Sequence, residues 1–220
     1  MAGIVINLPW AKGDQFWVEG NYSVGSTSYG GFSQAAGLFN TWQRFNGANV
    51  AAAWALDAVF ANVVGPTTGG LAGSGLELTT YWSAGIGIQH YWTPALRSSL
   101  FATYNAVDYN VNATAIFCSS PVGPVRTPVG AVPNFATGPV IGCNPDFRLW
   151  AVGTRTIWNP VPNLDIGVEI VYAKLETNFD PATTRLNYTA TGGGRASGLY
   201  VPSNEEVWSG VFRVQRNFWP

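Results

Sequence analysis

Charge is the scarcest property of this 220-residue chain: Asp, Glu, Lys and Arg together make up 10% of it, against the ~25% usual for soluble domains. The 11 basic residues are scattered and offset by 12 acidic ones, which leaves no basic field for DNA or RNA. Long apolar runs are missing too. The best candidate, Val50–Phe60, is interrupted by Asp57 and falls short of the roughly 18 residues of a membrane helix. One histidine, His90, and two cysteines make no metal-ligand set and no Ser–His–Asp arrangement, and GxSxG is absent. The run Gly192-Gly193-Gly194-Arg195 does not join a strand to a helix and reads as a loop tip rather than a phosphate cradle. Glu205 and Glu206 are adjacent, so a strand points them to opposite faces, the wrong placement for shared acid–base work. Catalysis, cofactor binding and nucleic-acid binding are set aside on these grounds.

What is present is apolar surface in dispersed form: aromatics at 14% and 26 glycines, with a mean hydropathy of only +0.09. Its arrangement is clearest in residues 76–92, LELTTYWSAGIGIQHYW. Even positions from Leu76 through Trp82, Ile86 and Ile88 to Trp92 are apolar or tolerated at an interface, while odd positions such as Glu77, Ser83, Gly85 and Gln89 are polar or small. Strand side chains alternate between faces, so this is a strand with one greasy and one wet face. A soluble strand runs about 5–6 residues, whereas a tilted bilayer span needs roughly 9–11 with aromatic ends. The length implies a transmembrane antiparallel β-barrel, an all-β fold.

The same alternation marks strands at Ala2–Leu8, Gln15–Ser23, Arg97–Tyr109, Phe147–Trp158, Leu164–Leu175 and Glu206–Phe218. Short Pro-, Gly- and Asn-rich turns join them pairwise. Between the hairpins lie long connections, residues 24–75, 110–146 and 176–204. Short turns alternating with long loops describe the periplasmic and extracellular rims of an outer-membrane barrel. Parity requires an even number of strands in 24–75, and zero is the expectation, giving seven in all, with nine as the alternative. A bacterial barrel needs an even number, eight or more, and no secretory leader precedes the first strand. The expectation is a single barrel domain lacking an N-terminal portion.

The alternation sends Glu19, Glu77, Arg97, Arg155, Asp165, Glu169 and Arg213 inward. Opposed acids and bases across a lumen order water and favour polar solutes; the same residues can equally form wall-stiffening ion pairs. Trp82, Trp92, Tyr104, Trp158, Tyr172, Trp208 and Phe218 fall outward toward strand ends, as an aromatic girdle would, with His90 on the same register. Cys118 and Cys143 bracket a stretch full of Pro and Gly and without regular structure. A disulfide there would stabilise by ~3–4 kcal/mol in an oxidising compartment; two unrelated thiols are the alternative. Besides a channel, the pattern admits a structural or adhesive barrel acting through its loops. A soluble carrier barrel is disfavoured by the Ile-, Val- and Trp-rich outward face.

The pieces GIVINLPWAKGD, LELTTYWSAGIGIQHYWTPALRSSLFATY, LWAVGTRTIWNPVPNLDIGVEIVYAKL and VWSGVFRVQRNFWP resemble the general porins of alphaproteobacteria, the Rhizobiales and Brucella type. The resemblance implies part of a sixteen-stranded, homotrimeric barrel in the bacterial outer membrane, surrounded by lipid and lipopolysaccharide. It implies passive diffusion of small hydrophilic solutes and ions. Phe218 near the terminus resembles the aromatic end that barrel-assembly machinery recognises. The family's leader, its first strands and its inward-folded constriction loop have no evident counterpart.

Overall fold

A computed structural model describes residues 1–30, 41–60, 75–119, 125–126, 142–188 and 196–217; Phe218 and the Gly192–Arg195 tip lie outside them. In chain order the strands are β1 (Ala2–Asn7), β2 (Gln15–Val24), β3 (Thr41–Asn46), β4 (Asn49–Trp54), β5 (Ala58–Val59), β6 (Glu77–Leu78), β7 (Thr80–Thr93) and β8 (Leu96–Asp108). Helix α1 (Val111–Ser119) follows, then β9 (Val125–Arg126), β10 (Phe147–Trp158), β11 (Leu164–Thr177), β12 (Arg185–Tyr188), β13 (Gly198–Pro202) and β14 (Glu205–Arg216).

Seven strands form one sheet in the order β1-β2-β7-β8-β10-β11-β14, and every neighbouring pair is antiparallel. These are the seven strands that the alternation predicts. The β1–β2 turn uses Gly13 at φ +100° and the β10–β11 turn uses Asn163 at φ 65°, conformations that glycine and asparagine adopt at least cost. Short turns therefore lie at one end of the sheet and all three long connections at the other. One boundary shifts: β7 starts at Thr80, and Glu77–Leu78 pair with β5 in a separate two-stranded sheet.

The long connections carry more regular structure than their composition suggests. Strands β3, β4, β13, β12 and β9 make a five-stranded sheet, and Cys118, expected in irregular chain, sits on α1. That helix forms because Asn110 caps it, its Oδ1 accepting the Ala113 amide at 2.8 Å, the usual N-cap bond.

The cap built by these segments packs on one face of the long sheet. Strand β4 is buried on both sides. Ala51, Ala53 and Ala55 meet Tyr81, Val107, Phe147 and Leu175 of the long sheet, while Val50, Ala52 and Trp54 meet Phe117, Phe179, Leu186 and the cysteines. Alanine suits the first contact because a methyl group lets two backbones approach closely. Strands β3 and β4 of the first long connection thus belong to the cap over this face. Cys118 and Cys143 are joined in a disulfide, buried in the second cluster.

Candidate functional site

Register assigns every long-sheet residue to a face, since directly paired residues point the same way. Ile4, Val18, Ile86, Leu100, Val152, Val168 and Phe212 share one face, each at least 40% exposed. The opposite face holds Tyr81 and Val107, fully buried under the cap, and toward the turn end it is open, with charged side chains set among Val5, Trp17, Phe101 and Val211. A water-soluble sheet would bury its apolar face; here that face is the bare one, which hydrocarbon solvates and water does not.

Aromatic side chains bound the apolar face at both ends. Trp82 and Tyr104 stack with centroids 5.1 Å apart, and Tyr172 bridges Trp150 and Trp208 at 5.4 and 5.0 Å. At the turn end stand Trp92, whose Nε1 donates to Ser98 Oγ at 3.0 Å, and Trp158, half exposed. Trp150 and Trp158 share strand β10 and lie roughly 27 Å apart at ~3.4 Å per residue, close to the ~25 Å band between girdles of an outer-membrane barrel.

On the other face, Glu19, Arg97, Arg155, Asp165, Glu169 and Arg213 are brought onto one wall by register. Arg155 and Glu169 are directly opposed and form an ion pair. Arg97 donates to Asn159 Oδ1 at 3.0 Å and stands over the Tyr91 ring, Asp165 accepts from Asn159 Nδ2, and Arg213 donates to Gln215 Oε1. Glu77 is elsewhere: on β6, it accepts bonds from Asn110 and Asn112 at 2.8 and 3.1 Å, where its charge complements the positive N-terminus of α1.

Two features escaped the pattern reading. Trp17 and Phe101 face the same wall as the charges, each directly opposite a glycine, Gly87 and Gly153; the signal was glycine recurring at odd positions of β7. Asp14, in the β1–β2 turn, is buried and bonds His90 and the Tyr91 amide, a contact across 76 residues that only pairing of β2 with β7 creates.

Around the cap the chemistry is structural. The buried Tyr109 hydroxyl donates to the Trp54 carbonyl at 2.6 Å, and burial pushes its pKa up. Burial, reinforced by the nearby Asp108 charge, also pushes Asp146 up, against the pull of its bond from the Tyr109 amide.

A long antiparallel sheet with a bare apolar face, aromatic borders and an ionic reverse face is consistent with the wall of a porin-type β-structure. The model of the Porin subfamily matches residues 3–198, and the chain belongs to the porin family. No curated protein and no solved structure matches it. Among the described residues no helix is long and apolar enough to cross a membrane. Porin membership points to an outer-membrane channel without enzymatic activity.

Proposed function

We propose that this chain forms the wall of a passive diffusion channel for small hydrophilic solutes and ions, of the alphaproteobacterial general-porin type. The observation that carries this reading is the inverted sheet, with Ile86, Leu100, Val152 and Val168 bare and Arg155, Glu169, Arg213 and Glu19 on the reverse. The ionic wall lines the pore in this reading, and the long connections lie on the extracellular side. Lipid and lipopolysaccharide contact the apolar face, the barrel-assembly machinery receives the C-terminal strand, and the assembled form is a homotrimer of sixteen-stranded barrels.

Strand direction supports an even total. Successive antiparallel pairings from β1 to β14 leave the two edge strands running the same way. An antiparallel closure then takes an odd number of further strands. A second copy in the same membrane orientation would meet that edge in parallel, so it does not serve. Closure removes edge N–H and C=O groups that cost several kcal/mol each in hydrocarbon.

Incorporation into a planar bilayer tests the reading. A stepwise conductance linear in salt concentration is expected; a folded, membrane-inserted protein without any step would overturn it. The cap over Tyr81, Val107 and Phe147 favours a second reading, a closed barrel acting through its loop end, and that non-conducting result would support it.

A further inference from the structure

One register row of the inner wall alternates rings with glycines: Trp17 on β2, Gly87 on β7, Phe101 on β8, Gly153 on β10. A Cβ on Gly87 would stand 2.1 Å from Cζ2 of Trp17, and one on Gly153 would stand 2.5 Å from Cζ of Phe101. Each ring therefore lies down over the neighbouring glycine, one face on the wall and the other toward the interior. Both rings are only part-buried. They line one cavity together with Glu19, Gln89, Ser99 and Arg155.

The charges around this strip do not cancel. Arg155 is matched by Glu169, whereas Glu19, whose carboxylate lies over Gly85, has no ion-pair partner among the described residues. The cavity combines two ring faces, which are electron-rich, with one uncompensated carboxylate. That combination attracts a cation whose charge is sheathed in methyl or methylene groups, because such a cation is weakly hydrated and stacks on an aromatic face at small desolvation cost. An anion is repelled by Glu19, and a neutral sugar leaves its charge unused.

We propose that the Trp17–Phe101 strip is a stacking site for small alkylammonium solutes, with Trp17 supplying the principal ring face and Glu19 the counter-charge. It rests on the channel reading only in taking the inner wall as water-lined. The site would slow such solutes at the wall and raise their local concentration relative to anions of the same size.

Isothermal titration calorimetry on the full chain in detergent micelles tests this with choline, its uncharged isostere 3,3-dimethylbutan-1-ol, and glucose. Choline should bind, with the isostere about tenfold weaker or worse. Glu19→Gln, which preserves shape, should bring choline down to the level of the isostere; Trp17→Leu should remove binding, and Gly20→Ala, on the apolar face, should change nothing. Equal binding of choline and its isostere, binding of glucose alone, or an unchanged choline affinity in Glu19→Gln would each overturn the inference. The readout does not involve conductance. A conducting channel that ignores choline refutes the site and leaves the channel standing, and choline binding without conductance does the reverse.

Discussion

Asp14 and His90 meet at 2.6 Å between the Asp14 carboxylate and Nδ1 of the ring, and the same carboxylate accepts the Tyr91 amide at 2.8 Å. The β1–β2 turn is thereby fastened to the last residues of β7. Burial alone would push the Asp14 carboxyl up, but the Tyr91 amide and the His90 ring outweigh it and hold the pKa below its ordinary value. A depressed folded-state pKa contributes stability that is present above the unfolded value, ~3.9, and is lost as pH falls through the folded one. The Tyr91 amide resonance should accordingly show a movement on the acid side of about 4, where the carboxylate that accepts it takes up a proton. In Asp14→Asn that acid-side movement should disappear; its persistence would assign it to another group.

The Arg155–Glu169 pair stands in the open, with the Arg155 side chain 53% exposed. An exposed pair contributes about 0–1 kcal/mol to stability, so its removal should be read in ion selectivity rather than in folding. Arg155→Ala leaves Glu169 unmatched and should shift the zero-current potential in a salt gradient toward cation preference. Glu169→Gln should shift it toward anions. Shifts of the same sign in both variants would contradict a shared lumen.

Val168 and Glu169 are neighbours on β11 that face opposite ways. Val168→Arg places a charge on the bare apolar face and should cost about 2–4 kcal/mol of folding stability in bilayers if it lies near mid-depth. Thr103→Arg, on the exposed inner face, should be tolerated. Urea titrations of refolding into lipid vesicles check the difference, and a neutral Val168→Arg would mean that this face meets water.

The disulfide closes a segment of 25 residues by sequence separation, which the chain-entropy model values at about 3–4 kcal/mol. Because both cysteines pack with Val50, Trp54, Phe117 and Leu186, the loss should fall on the cap. A Cys118→Ala, Cys143→Ala double variant should admit protease to the segments around α1 and β12 at a temperature where the wild type resists. The long sheet should stay protected, since its ladder does not involve either residue.

Gly87 and Gly20 offer a packing test. A methyl group on Gly87 collides with the Trp17 ring at 2.1 Å, while one on Gly20 meets nothing nearer than 3.7 Å. Gly87→Ala should push the part-buried Trp17 ring off the wall at little cost in stability and change its fluorescence maximum, whereas Gly20→Ala should leave the emission of the folded protein unchanged.

Much of the long sheet was legible because its signal is local. Alternation in Leu164–Leu175 names its own two faces, and Glu169 could be placed on the face opposite Val168 without knowing its partner. The cap was not legible in the same way. Strand β4, NVAAAW, is apolar on both faces and so carries no period that separates strand from helix. Glu77 continued the alternation of β7 yet belongs to β6, because pairing with Val59 ended one strand before the pattern did.

By itself, the sequence determined the seven strands of the long sheet and the two-faced polarity within each of them, since a two-residue period is written residue by residue. Only the tertiary structure decided that β3 and β4 fold onto the inner wall, that Asp14 reaches His90, and that Trp17 and Phe101 lie over Gly87 and Gly153. Those contacts depend on which strands pair and in what register, and register is set by the sum of many weak pairings across the sheet, a quantity that no single segment contains.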